Sequence, residues 1–301
     1  MATVVTSAFS DRVAEVVERK RSQLVVGLDP RPELFPAELR GEAALGRAGA
    51  AAACTRFCCG IVDAVAPYAA AVKPQAAFFE ALGADGMRAL EEVCAYARAA
   101  GLVVLLDGKR GDVGSTARAY ASAYLEHHEL EPPLADALTV NPYLGRESLE
   151  PLLQACRRDG TGIFCLVKTS NAGGEIQDLV LSDGRPVWHQ VARLVADWGE
   201  EVMGERGLSS VGAVVGATHP RAVAEARRLL PQAILLLPGV GAQGATPADI
   251  ARAFTRGPTS ALVAASRSVI YAFRNGGTDW RSAAGAEAAR LAKDVWAVAG
   301  W

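Results

Sequence analysis

LVVLLDGKRGDVGST, residues 102–116, begins as a buried strand and ends on a charged turn. Its opening residues are apolar and partly β-branched, which suits a strand covered on both faces, as in a parallel sheet flanked by helices. Alternate residues share a face, so Val103, Leu105, Asp107 and Lys109 point together, and a carboxylate and an ammonium emerge side by side where the strand ends. Asp112 follows on the loop, with Thr116 about one helical turn beyond it. Charges at the C-terminal end of a buried strand point to a barrel whose working face is made by the loops that follow its strands.

Outward from this segment the same unit recurs. QLVVGLD (23–29), AAAVKP (69–74), DALTVNP (136–142), GIFCLVKT (162–169), VGAVVGAT (211–218), AILLLPG (233–239) and SALVAASR (260–267) read as further strands. Stretches of helical period over 47–66, 80–100, 114–128, 146–158, 187–206, 219–229, 247–256 and 279–298 separate them. Eight strand–helix units with no linker-like stretch predict a closed (β/α)8 TIM barrel, one domain over 1–301, with a helix ahead of the first strand. An open, doubly wound sheet is the alternative topology. Long connections at 29–46 and 170–186 follow strands and so fall on the working face, either as binding segments or as plain surface insertions.

Composition excludes several classes of function. Against 33 Asp+Glu stand 31 Lys+Arg, for a net charge of -2, which leaves no basic face for nucleic acid. Residues 1–22 alternate in charge and lack the apolar centre of a signal peptide, and no uninterrupted apolar run reaches the roughly 18 to 20 residues of a membrane helix. A cytoplasmic protein with no nucleic-acid or membrane partner is expected. Cys54, Cys58, Cys59, Cys94, Cys156 and Cys165 lack paired spacing and a nearby histidine, so they read as reduced core thiols. Among the histidines, His219 alone lies close to a strand end.

Lys73 closes the second strand and Asp29 the first. Neighbouring strands lie about 4.8 Å apart, so Asp29, Lys73, Asp107 and Lys109 are expected to converge as an array of alternating charge. A salt-bridge network that merely closes the barrel is the plainer reading, but burying several charges seldom adds stability over apolar packing, which favours catalytic use. On the opposite side PGVGAQG (238–244), containing Gln243, precedes a strand that ends at Arg267. Backbone N–H groups, a helix start and a guanidinium in such loops suit a phosphate. Gly239, Gly241 and Gly244 also fit G-x-G-x-x-G, but a dinucleotide site wants an acidic residue at the end of the next strand, where Ser266 and Arg267 stand.

The run D-G-K-R-G-D-V-G-S-T carries a D-x-K-x-x-D signature, and GLDP, AVKPQ, NPYLG, VKTSN, PGVGAQG and ASRS accompany it along nearly the whole chain. In these motifs the sequence resembles the orotidine 5'-phosphate decarboxylase family, in its longer bacterial subgroup. The resemblance implies decarboxylation of orotidine 5'-monophosphate to UMP, the last step of de novo pyrimidine nucleotide synthesis, with no metal or other cofactor. It implies that Lys109 protonates C6, that Asp107 and Asp112 flank it, and that Lys73 completes the array. It further implies that Asp29 binds ribose hydroxyls, that Thr169 and Ser170 contact the pyrimidine, and that Gln243 and Arg267 hold the phosphate. In that family the second aspartate reaches the neighbouring subunit's site, so Asp112 and Thr116 imply a homodimer with shared active sites.

One residue departs from the pattern: Ser266 stands where many members have glycine before the phosphate-binding arginine. D-x-K-x-x-D also occurs in the Mg²⁺-dependent 3-keto-gulonate-6-phosphate decarboxylases and hexulose-phosphate synthases, which carry an acidic residue on strand two where this chain has Lys73. A barrel that only binds a phosphate ligand is the non-enzymatic alternative, and the presence of Lys73, Asp107, Lys109 and Asp112 together weighs against it.

Overall fold

In the computed structural model, residues 7–128, 131–171, 173–241, 244–276 and 279–299 are described. The apolar runs form eight strands: β1 (Leu24–Leu28), β2 (Ala71–Pro74), β3 (Val103–Arg110), β4 (Ala137–Val140), β5 (Gly162–Lys168), β6 (Ser209–Val215), β7 (Ala233–Pro238) and β8 (Ala261–Ala265). Each pairs in parallel with its successor, and β8 pairs with β1 through Leu24 and Val263, so the sheet closes into a barrel in chain order. That closure excludes the open sheet and gives the TIM barrel expected from the strand–helix repeat.

Strand parity sorts the core into two bodies. Val25, Ala71, Val103, Leu105, Ala137, Phe164 and Leu236 point inward and fill the barrel. Leu24, Val26, Val72, Val104, Leu106 and Leu138, one position away on the same strands, pack outward against the helices. The helix Phe9–Lys20 plugs the N-terminal end: its Phe9 and Val13 join the inner cluster, and Phe9 meets Phe164 edge-on at 5.9 Å. The floor is thereby closed with apolar side chains, and the opposite end of the barrel is left for polar ones.

The helices follow the sequence reading with local exceptions. The helix expected over 80–100 runs from Gly83 to Ala99, with Gly83 at φ +69 opening it, and a short helix that the sequence reading did not give, Ala76–Glu80, precedes it. Pro247–Phe254 winds as a 3-10 helix; its eight residues, between a Thr246–Asp249 capping box and Gly257, leave room for few i→i+4 bonds. Within the 29–46 connection lie a 3-10 turn, Pro32–Leu34, and a short helix, Ala37–Ala43. Gly46–Val65 is long and apolar enough to cross a membrane by length and composition, but 56% of its apolar window is buried against the rest of the protein. It packs beside Gly83–Ala99 and Trp280–Ala299 as a core helix. All six cysteines are free, and burial pushes the Cys94 thiol up to about 12, as suits core thiols.

Candidate active site

Inward parity at the C-terminal ends brings the polar residues together. Ala71 and Lys73 continue one face of β2, Leu105 and Asp107 one face of β3, and Ala137 and Thr139 one face of β4. Lys73 Nζ donates to Asp107 Oδ2 at 2.5 Å, and Lys109 Nζ donates to Asp107 Oδ1 at 2.5 Å. One carboxylate thus bridges two ammoniums. Burial by itself would raise the Asp107 carboxyl, but Lys73 and Lys109 override it and hold it well below the usual carboxylate range. Lys73 and Asp107 are buried, whereas the Lys109 side chain is 48% exposed in the single chain.

Simple alternation does not place Lys109. The β3–β4 register is irregular between Leu106 and Arg110, and Lys109 adopts φ 47, in the left-handed region that a side chain occupies at a cost of about 1–2 kcal/mol. Its backbone N–H donates to Thr139 Oγ1 at 3.0 Å, and the same hydroxyl donates to Asp107 Oδ1 at 2.9 Å. Thr139 therefore braces both the strained backbone and the bridging carboxylate. The sequence reading passed over it, although a hydroxyl two residues beyond inward Ala137 on β4 was the available signal.

A cavity of about 260 Å³ opens over this array, lined by Lys73, Asp107, Lys109, Thr139, Thr169 and Ser170. Thr169 is tied into the following loop: its N–H donates to Gln177 Oε1 at 2.9 Å, and its hydroxyl accepts from Gln177 Nε2 at 2.7 Å. Lys168 Nζ donates to both Asp178 oxygens at 2.7 Å and anchors the same loop. The 170–186 connection is thereby held beside the cavity mouth.

On the other side of Lys73 and Asp107 lies a second cavity of about 200 Å³, whose walls include Asp29, Gly239, Val240, Ser266 and Arg267. The Gly-rich turn is built from left-handed glycines, Gly239 at φ 114 and Gly241 at φ 81, conformations open to glycine at no steric cost. Arg267 opens the short helix Arg267–Ile270, exposed and without an ion pair among the described residues. Asp29 does not pair with a lysine as the alternating array implied. Its Oδ2 accepts from Ser266 Oγ, because β1 carries it past Lys73 toward β8. Asp112 Oδ1 accepts from the Val113 N–H at 2.8 Å and, like Thr116, lines neither cavity. Gln243 lies outside the described residues. His219 lines a neighbouring cleft with Lys168 and Asp178, away from Lys109. Among the described residues, no three His, Cys, Asp or Glu side chains converge so as to hold a metal ion.

Residues 22–278 match the Orotidine 5'-phosphate decarboxylase / HUMPS family. The chain belongs to that family. Orotidine 5'-phosphate decarboxylase from Deinococcus radiodurans is 50% identical over 268 residues, spanning 89% of this chain and 90% of the relative. The enzyme of the same name from Rhodopirellula baltica is 48% identical over 270 residues, covering 88% and 89%. The solved structure of Leishmania donovani OMP decarboxylase superposes with a TM-score of 0.74 at 33% identity, over 97% of this chain and 98% of that one.

Proposed function

We propose that the chain is a carbon–carbon lyase that decarboxylates orotidine 5'-monophosphate to UMP without a metal ion, using Lys109 as the proton donor. The observation that carries this reading is the Lys73–Asp107–Lys109 bridge at the wall of a nucleotide-sized pair of cavities. Loss of CO2 from C6 of the pyrimidine leaves an electron pair in the ring plane, orthogonal to the π system, where delocalisation cannot soften it. An ammonium held beside that carbon stabilises the charge as it develops and then supplies the proton. Asp107 fixes the ammonium in place, and Lys73 anchors the other carboxylate oxygen. Thr169 and Ser170 face the base from the far wall, Asp29 takes ribose hydroxyls, and Arg267, with Gln243 and the Gly-rich turn, takes the phosphate.

Phosphate and base occupy the two cavities on either side of Lys73 and Asp107, so the grip on the phosphate contributes binding energy remote from the reacting bond. Asp112 and Thr116 are assigned to the active site of a second copy. Their exclusion from both cavities of their own chain supports this, as do the exposed apolar side chains around them: Val113 at 47%, Tyr143 at 79% and Leu144 at 50%. We read the chain as one cytoplasmic domain acting as a homodimer. Lys73 stands where the Mg²⁺-dependent sugar-phosphate members of the superfamily carry an acidic residue, which favours the nucleotide reaction over theirs.

The test is an absorbance assay with orotidine 5'-monophosphate, with and without EDTA. Turnover undiminished by the chelator is expected. Activity abolished by EDTA and restored by Mg²⁺ would contradict the assignment.

A further inference from the structure

Ser266, which stands where many members of the family have glycine, has a defined partner. Its Oγ donates to Asp29 Oδ2, while Asp29 Oδ1 is buried with no hydrogen-bond partner among the described residues. With Oδ1 sealed from solvent, the seryl hydroxyl fixes the rotation of the carboxylate at the cavity wall, and Oδ2 keeps a second acceptor site for a ligand donor. Space for Ser266 comes from β1: a Cβ placed on Gly27 would lie 2.7 Å from Ser266 Cβ and 3.0 Å from its Oγ. The seryl side chain fills the room that Gly27 leaves, so its rotamer is fixed by packing as well as by the hydrogen bond. Five residues on, Tyr271 donates its hydroxyl to the Asp29 carbonyl at 3.0 Å and accepts the Arg31 N–H at 2.8 Å. The segment that carries Arg267 therefore holds Asp29 by its side chain on one flank and by its main chain on the other.

We propose that Ser266 is a positioning residue that orients the Asp29 carboxylate for a ribose hydroxyl and locks that contact to the phosphate-binding segment beginning at Arg267. The proposal rests on the assignment of Asp29 to the ribose and Arg267 to the phosphate. Its consequence is selectivity for the sugar: with the rotation of the carboxylate set by the seryl hydroxyl, its acceptor is held at one spacing from the phosphate, and a nucleotide lacking the matching hydroxyl leaves that acceptor unpaired.

The test measures dissociation constants of UMP, 2'-deoxy-UMP and 3'-deoxy-UMP for the wild type and for Ser266→Ala, Ser266→Gly and Asp29→Ala. The wild type is expected to prefer UMP over at least one deoxy form, and Ser266→Ala to shrink that preference about tenfold while binding the disfavoured deoxy nucleotide as before. A loss of packing alone would weaken all three nucleotides in parallel. Should the alanine variant fold poorly, Ser266→Gly provides the same comparison with the residue common in the family. Full preference retained by both Ser266 variants and erased by Asp29→Ala would overturn the proposal and leave the ribose assignment standing. Preference retained by Asp29→Ala would overturn both.

Discussion

Asp107 is the residue on which the charges at the barrel mouth depend, since it binds both lysines through its two oxygens. Its carboxyl is held below its ordinary range in the folded chain, so the unfolded chain binds a proton there at a higher pH than the folded one does. The stability it contributes is therefore complete above about pH 5 and is lost as pH falls through about 4 toward the folded value. Denaturant unfolding from pH 7 down to 3 should show the wild type converging on Asp107→Asn below about pH 4, with a constant gap above about pH 5. Parallel curves across that range would contradict the bridge. Lys73, Asp107 and Lys109 were legible because each ends an apolar strand, where an ionisable group has little structural excuse. Thr139 left a parity signal on the inward face of β4, but neither its function nor that of Ser266 could be read from it, since a hydroxyl gains its meaning from register: Thr139 from the β3–β4 irregularity, Ser266 from the empty Cβ position at Gly27. The left-handed backbone at Lys109 has no sequence signal, because that region is marked by Gly, Asn or Asp and lysine is not one of them.

At the scale of elements, the eight strands follow from runs of Val, Leu, Ile and Ala whose length suits a strand and whose alternate members pack on opposite sides of the barrel wall. Less legible was the short helix Ala76–Glu80, whose five residues are too few to show a helical period. The short helix Arg267–Ile270 presents Arg267 to the cavity beneath the Gly-rich turn without tying it to a carboxylate. Removing an exposed side chain that has no ion pair among the described residues leaves the fold alone. Arg267→Ala is thus expected to lower kcat/KM by about 100-fold or more while shifting the thermal midpoint little, as steady-state kinetics and a melting curve would show. An unchanged kcat/KM would remove Arg267 from the site. Loop 170–186, recognised by its length, is anchored through Lys168–Asp178 and Thr169–Gln177, pairings that only the folded chain brings within reach.

The whole molecule closes one end of the barrel with an apolar plug and leaves the other polar, and a single chain leaves Lys109 half exposed. A second copy contributing Asp112 and Thr116 would complete the cover, and this has an arithmetic consequence. Lys109→Ala and Asp112→Ala, each inactive alone, regain activity when subunits are mixed and allowed to exchange, because half of the dimers are then hybrids with one intact site in two. Activity of about one quarter of the wild type is expected; no recovery, with subunit exchange verified, would place Asp112 outside a shared site. The inactivity expected of Lys109→Ala rests on its ammonium meeting the charge left at C6. The measurement that addresses it most directly is the single-turnover rate of orotidine 5'-monophosphate decarboxylation by Lys109→Ala at saturating substrate, with UMP binding measured alongside to confirm an intact pocket. A fall of at least about 1000-fold with UMP still bound is the predicted result, and a rate within about tenfold of the wild type would contradict the account.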